Sequence, residues 1–318
     1  MQKRFWLLLA AVLCCGLIVG GCGAANKTAG VAETGGIKIV DDLGKTIVLK
    51  EPAKRIISLY SAHTENLFAL GLDQEIIGVS TTESYPPAAL KKPVFDYRAD
   101  PEKVLAAQPD LVIIRPFIVQ SHPDFVKTLE NANIKVVCLY PEKFDQFDEY
   151  IKKLAMLTGK EQEAAARLQA FHQKLDDITA ITKRAAAQKK VYFESTATEY
   201  RTITNDSMTA VLLKLAGGIN VAADATMIKE GSSIATYGVE RLLMKADEID
   251  VYLAQRGPMN AGISVENIVK RPGFDKIKAV REGQVYIIEE SLVSSPTFRL
   301  AAGAEELATK IYPELFKQ

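Results

Sequence analysis

From Phe144 to Lys190 the chain has no proline and a single glycine, Gly159, and this stretch interrupts an otherwise regular alternation of short apolar runs and amphipathic segments. Leu168, Phe171, Leu175 and Ile178 recur at spacings of three and four, which gives one apolar stripe of the kind a helix buries on one side. Over residues 160–188 such a helix would reach roughly 40 Å at about 1.5 Å per residue. The stripe is too short for the sustained heptads of a coiled-coil arm. We therefore read 144–190 as a rigid spine between two separately folded halves.

Each half carries the same kind of pattern. Before the spine, residues 55–59, 76–79, 111–114 and 135–139 read as strands. Helices are expected over 64–70, with Gly71 as the stop, and over 125–132. Another opens at Asp100-Pro101-Glu102, where Asp100 is a good N-cap and proline suits the first helical position. After the spine, 191–194, 250–254 and 285–288 read as strands, and 208–216, 239–245 and 300–312 as helices. Continuous apolar strands alternating with helices imply parallel sheets covered on both faces. The fold class is α/β: two Rossmann-like lobes with parallel sheets, joined by one long helix. One internal echo supports two lobes of similar plan. Glu102-Lys103-Val104-Leu105 before the strand from Leu111 resembles Glu240-Arg241-Leu242-Leu243 before the strand from Val251, and Arg115 and Arg256 end the two units.

The 318 residues are 48% hydrophobic and 25% charged, enough for two cores. With 39 basic against 39 acidic residues, the basic excess of a nucleic-acid-binding surface is missing. At the amino terminus, Lys3 and Arg4 precede an apolar run from Phe5 to Val19, then Gly20, Gly21 and Cys22. That order makes an export signal over 1–21, with an uncleaved anchor as the alternative. Val19-Gly20-Gly21-Cys22 resembles a bacterial lipobox, so Cys22 is the expected lipidation site, followed by a flexible tether through residue 52. Cys14 and Cys15 leave with the signal and only Cys138 remains, a buried hydrophobe by its apolar neighbours. Neither a disulfide framework nor a cysteine metal site is then available.

Several segments together resemble the periplasmic-binding proteins of the iron-siderophore and vitamin B12 ABC importers, over essentially all of 53–316. They are Arg55-Ile56-Ile57-Ser58-Leu59, Ser61-Ala62-His63-Thr64-Glu65, Phe68-Ala69-Leu70-Gly71, Tyr85-Pro86-Pro87 and Pro109-Asp110-Leu111-Val112 in the first half. The second half adds Ala216-Gly217-Gly218-Ile219-Asn220-Val221, Gly283-Gln284-Val285-Tyr286 and Tyr312-Pro313-Glu314-Leu315-Phe316. The resemblance implies an N-lobe over 53–143, a helical backbone over 144–190 and a C-lobe over 191–318. It also implies small closure on binding, and a ligand held between the lobes where strand ends and helix N-termini face each other. Its expected partners are a permease dimer and its ATPase, a small-molecule chelate, and a membrane reached through the lipid. The protein is expected to be a monomer with no cofactor, exported and anchored to the cell envelope.

By motif position, the resemblance makes Glu102 and Glu240 the carboxylates that dock, one per lobe, on permease arginines. Their bland alternative is simple stabilisation of a helix N-terminus. For the ligand, five arginines fall at expected loop positions: Arg98, Arg115, Arg201, Arg256 and Arg299. A guanidinium matches carboxylate, catecholate or oxyanion oxygens with a planar fork, so arginines in a cleft imply a negatively charged ligand. Two or three of the five are expected to face it. Tyr85, Tyr97, Tyr237 and Phe298 accompany them, and His63 enters a helix whose N-terminus should face the cleft. Three histidines without paired spacing make no dedicated metal cage. The B12 binders that the chain resembles cover the corrin with tryptophan, whereas its only tryptophan is Trp6, in the signal. Arg115 also stands where those proteins carry an aromatic. A ferric siderophore is thus the leading ligand, with corrinoid, haem or a molybdate-type oxyanion as alternatives. Phosphate loops, Gly-x-Gly-x-x-Gly turns and Gly-x-Ser-x-Gly elbows are all missing from the sequence, so the chain does not read as an enzyme. A structural lipoprotein without ligand is the remaining alternative.

Overall fold

A computed structural model describes residues 36–99 and 101–316. The expected signal over 1–21, the lipidation site Cys22 and the Asp100 cap lie outside the described residues. The first element corrects the extent of the tether. Residues expected to be flexible form an antiparallel hairpin of β1 (Ile37–Val40) and β2 (Thr46–Leu49), paired from Ile37↔Leu49 to Val40↔Thr46. Ile39, Ile47 and Leu49 alternate inward into the core. The turn is made by Asp41, whose Oδ1 accepts from the backbone N–H of Leu43 and Lys45 at 3.0 and 2.8 Å. Asp42 ties the hairpin down, accepting from Lys153 Nζ at 2.7 Å while its own N–H donates to the Cys138 carbonyl.

The first lobe then runs β3 (Ile56–Ser58), α1 (Ser61–Ala69), β4 (Ile76–Val79), α2 (Glu102–Ala106), β5 (Leu111–Ile114), α3 (Pro116–Ser121), α4 (Pro123–Asn131) and β6 (Lys135–Cys138). The bridge is α5 (Phe147–Thr158) and α6 (Glu161–Thr182). The second lobe contains β7 (Lys190–Glu194), β8 (Thr202–Ile203), α7 (Met208–Leu215), β9 (Ile219–Asn220), β10 (Thr226–Met227), β11 (Ile234–Thr236) and α8 (Val239–Met244). It closes with β12 (Val251–Arg256), α9 (Val265–Val269), α10 (Lys278–Arg281), β13 (Val285–Glu289), α11 (Glu290–Val293), α12 (Leu300–Ile311) and α13 (Pro313–Phe316).

The two main sheets are parallel and have one topology. Their orders are β4-β3-β5-β6 and β9-β7-β12-β13, so each lobe places its strands 2-1-3-4 in order of appearance. The sequence echo is thus a structural one: β5 and β12 hold the same place, and α2 and α8 precede them. A small antiparallel sheet, β10-β11-β8, lies beside the second.

Alternate strand residues feed different cores. Ile56, Leu111, Ile113 and Val137 face the bridge, and so do Val191, Phe193, Val251 and Leu253 in the other lobe. Ile57, Val112, Ile114 and Val136 face outward onto α2, α3 and α4. Tyr192, Tyr252 and Ala254 do the same against α8 and α9. The inner faces share one continuous core with α5, α6, α7 and α12. The stripe expected from sequence is the buried face of α6: Leu168, Phe171, Leu175 and Ile178 are all buried.

The spine itself is corrected in two respects. It is two helices, because Gly159 adopts φ 67° and ends α5, and a Cβ there would approach Pro52 Cγ to 2.9 Å. And α6 stops at Thr182, so its span is about 33 Å. A second connection reinforces it. Asn66 in α1 donates to the Pro296 carbonyl at 2.8 Å and accepts from the Phe298 N–H at 3.3 Å. Arg299 grips Glu65 with two hydrogen bonds of 2.8 and 2.6 Å. Phe298 packs on Phe147 and Phe171.

Candidate functional site

In both sheets the strands point their carboxyl ends toward the space between the lobes, where loops rather than ladder bonds finish each strand. A cavity of about 170 Å³ sits there. On the N-lobe side it is lined by Tyr60, Arg115 and Tyr140, which follow β3, β5 and β6. On the C-lobe side Ser195 follows β7, Gln255 lies at the end of β12, and Glu290 follows β13. Ile203, Thr209, Ser233, Ile234, Met259, Ser294 and Ser295 complete that wall. Crevices outside the carboxyl ends of parallel strands are where α/β sheets bind ligands.

The N-lobe wall is a set of held donors. The Arg115 guanidinium lies over Tyr60 at 4.7 Å and over Phe117 at 5.2 Å, and among the described residues it enters no ion pair. Burial raises the Tyr60 phenol well above its ordinary value, outweighing the opposing pull of Arg115, and burial raises Tyr140 likewise. Both phenols therefore stay protonated and can donate. Behind them His63 is fully buried, hydrogen-bonded through Nε2 to the Ile114 carbonyl at 3.2 Å and through Nδ1 to Tyr150 Oη at 2.7 Å. These partners assign the proton to Nε2 and let Tyr150 donate to Nδ1. Asn66 donates to the same phenol oxygen at 3.2 Å. Burial lowers the His63 pKa to about 3, so the ring is neutral and works as a brace between α1 and the end of β5.

The C-lobe wall rests on a buried ion pair. Glu194, fully buried, accepts from Tyr252 Oη at 2.5 Å, from Asn260 Nδ2 at 3.2 Å and from both terminal nitrogens of Arg271. Asn260 also accepts from the Ala197 N–H at 3.0 Å and donates to the Gln255 carbonyl at 3.0 Å. The loops that carry Ser195 and Met259 are thereby fixed to the sheet. Thr209 and Ser294 of this lining donate to the Val293 and Glu290 carbonyls, whereas three other lining side chains have no partner among the described residues. Ser195 is 1% exposed and its Oγ has no hydrogen-bond partner among the described residues. The Gln255 amide, in a residue 4% exposed, makes no hydrogen bond to described residues. Glu290 Oε2 is buried without a donor among the described residues, pressed so closely on Gly257 that a Cβ there would lie 1.8 Å away. Burial raises the Glu290 carboxyl.

Of the ligand residues expected from sequence, Arg115 alone stands in the cavity wall. His63 is behind the wall. Tyr85 and Arg299 belong to the inter-lobe clasp, the guanidinium over the ring at 4.3 Å while it holds Glu65. Arg201 pairs with Glu199 at 2.9 Å, and Arg256 with Glu289 at 3.2 Å. Tyr237 is buried in the C-lobe core beneath Arg241. Tyr97 and Arg98 stack on each other at 5.0 Å beside His122, outside the cavity lining. Four of the five arginines thus have the ordinary fate of pairing or stacking locally. Glu102 and Glu240 are exposed in the first turns of α2 and α8. Cys138 is buried and its thiol is pushed up to about 12 by burial. Among the described residues no group of three or more His, Cys, Asp or Glu could hold a metal, and no helix is long and apolar enough to cross a membrane. Sequence reading missed Tyr60, Tyr140, Ser195, Gln255 and Glu290. What marks all five is position at a strand end, a signal available from the strand assignments alone.

Comparison with known proteins gives a consistent result. A family profile described as periplasmic binding protein matches residues 56–292. The chain is 29% identical, over all of both sequences, to an uncharacterized ABC transporter substrate-binding lipoprotein, YvrC, of Bacillus subtilis. It is 25% identical to a vitamin B12-binding protein of Vibrio cholerae, over 81% of this chain and 89% of that one. Among solved structures, a possible iron-binding (periplasmic solute-binding) protein from Staphylococcus epidermidis superposes with a TM-score of 0.72 at 25% identity, over 82% of this chain and all of that one.

Proposed function

The chain belongs to the periplasmic binding protein family, and from that premise we propose that it captures an anionic metal chelate, a ferric siderophore first of all, in the inter-lobe cleft. It is the solute-binding component of an ABC importer of the siderophore, B12 or haem type, and not an enzyme. The observation that carries the finer reading is Arg115, held between two aromatic rings, flanked by protonated phenols, and in no ion pair with a described residue. Three donors converging on one cavity match the oxygens of a negatively charged ligand. Met259 of the lining and Phe117, which lies under Arg115, are both exposed and offer apolar surface to the rest of a chelate larger than the cavity.

In this reading Cys22 carries the lipid that keeps the protein at the membrane, supported by the residues before it and by the likeness to a lipoprotein. Glu102 and Glu240 dock on the permease, supported by their matched places before β5 and β12. A thermal-shift screen of the purified chain tests the ligand class, using a ferric tris-catecholate, ferrioxamine B, cyanocobalamin, haemin and molybdate. A ligand at 100 times its Kd stabilises the fold by about 2.7 kcal/mol. A rise with a ferric chelate supports the proposal, and a rise with cobalamin, haemin or molybdate alone replaces it. The small volume, about 170 Å³, favours molybdate as the second reading.

A further inference from the structure

The C-lobe wall opposes the N-lobe wall in chemistry as well as in position. Glu290 presents a carboxyl whose Oε2 is sealed against Gly257 without a donor, and whose other oxygen makes no hydrogen bond to described residues. Among the described residues Ser195 Oγ is likewise buried and unpartnered, and the Gln255 amide makes no hydrogen bond. Buried polar atoms without partners are costly, and two of the five among the described residues, Ser195 Oγ and Glu290 Oε2, lie on this one wall beside the Gln255 amide. The nearby Glu194 network shows that this lobe satisfies its buried carboxylate fully where the role is structural.

We propose that Glu290, with Ser195 and Gln255, forms a subsite for a hydrogen-bond-donating group of the ligand, an ammonium or amide N–H, so that the transported molecule is dipolar: acidic oxygens toward Arg115 and donors toward Glu290. The inference rests on the reading that the cleft holds a ligand against Arg115. It narrows the substrate class, because a chelate carrying only negative oxygens meets a carboxylate at this wall and is disfavoured, whereas one with a free ammonium or amide completes both walls.

The test compares two probes on the full purified chain: ferrioxamine B, whose hydroxamate centre carries a free ammonium tail, and a ferric tris-catecholate without one. In Glu290→Gln the affinity for ferrioxamine B should fall at least tenfold and that for the tris-catecholate should hold or rise. Arg115→Ala should weaken the tris-catecholate most. An unchanged ratio of the two affinities in Glu290→Gln overturns the subsite, and if Arg115→Ala still weakens binding, the chelate reading survives without it. A second readout needs no ligand. If these groups are kept for binding, Ser195→Ala and Glu290→Leu should each raise the Tm of the empty protein, by roughly 2 °C. A fall in both would mean that they serve the fold, and the subsite is then rejected whichever probe binds.

Discussion

On the N-terminal side of the cleft, Tyr60, Arg115 and Tyr140 stand after the first, third and fourth strands of their sheet. On the C-terminal side, Ser195, Gln255 and Glu290 stand at the same three places of a sheet with the same strand order. The repeated topology fixes where a lining residue can come from, and leaves its chemistry free. The N-lobe presents donors, braced by a neutral buried histidine. The C-lobe presents acceptors and an amide, left without partners above a fully satisfied buried ion pair. Equivalent backbone positions have thus diverged into two halves of one polar socket.

The comparison can be broken most severely beneath the C-lobe wall. Arg271→Ala leaves Glu194 buried, charged and stripped of its cation, at a cost of about 3–5 kcal/mol, read as a fall in the denaturation midpoint. A loss below about 1 kcal/mol would mean that the pair does not hold the loops. The N-lobe brace fails in a different way, through acid. His63 is depressed in the fold to about 3 from 6.5, so its contribution is present above pH 6.5 and drains away as the pH falls toward 3. At pH 4 the loss relative to pH 7 is about 3 kcal/mol, and His63→Gln should flatten that part of the stability curve. An unaltered acid limb would place the titration elsewhere.

Arg115→Ala, which touches the N-lobe wall alone, should weaken ligand binding by about 1.5–3 kcal/mol with little change in Tm, as measured by calorimetric titration. The smallest effect belongs to the opposite wall and has the opposite pH sense. The raised Glu290 carboxyl gives stability that is present below its ordinary value near 4.5 and lost as the pH rises. Glu290→Leu should therefore gain stability, of order 1 kcal/mol at pH 8 and less at pH 4. A gain independent of pH would remove the carboxylate charge from the explanation.

Much of this fold is legible in the sequence because its strands are buried on both faces. Ile76–Val79 and Leu111–Ile114 are continuous apolar runs whose ends coincide with the structural ones. The α6 stripe is legible for the same reason, since one buried face fixes a period. The β1–β2 hairpin was hidden by its short, half-exposed strands, although Asp41 and Gly44 mark its turn. The lining of the inter-lobe cavity is less legible than the fold. Arginine is long enough to find a local acid, and Arg201, Arg256 and Arg299 each did so, a matter of rotamer and neighbour that no spacing encodes. Ser195 and Gln255 carry no charge to draw notice. Their place in the lining becomes visible only when burial and missing partners are known.

The core that runs without interruption from the inner face of one sheet, through α5 and α6, to the inner face of the other has a thermodynamic consequence. Neither half can lose its inner layer without exposing apolar surface of the bridge that the other half needs. Melting should therefore be a single cooperative event, with calorimetric and van't Hoff enthalpies in agreement, rather than two transitions belonging to two lobes. Occupancy of the cleft would then slow hydrogen exchange in strands of both sheets alike, including those far from any atom of the ligand.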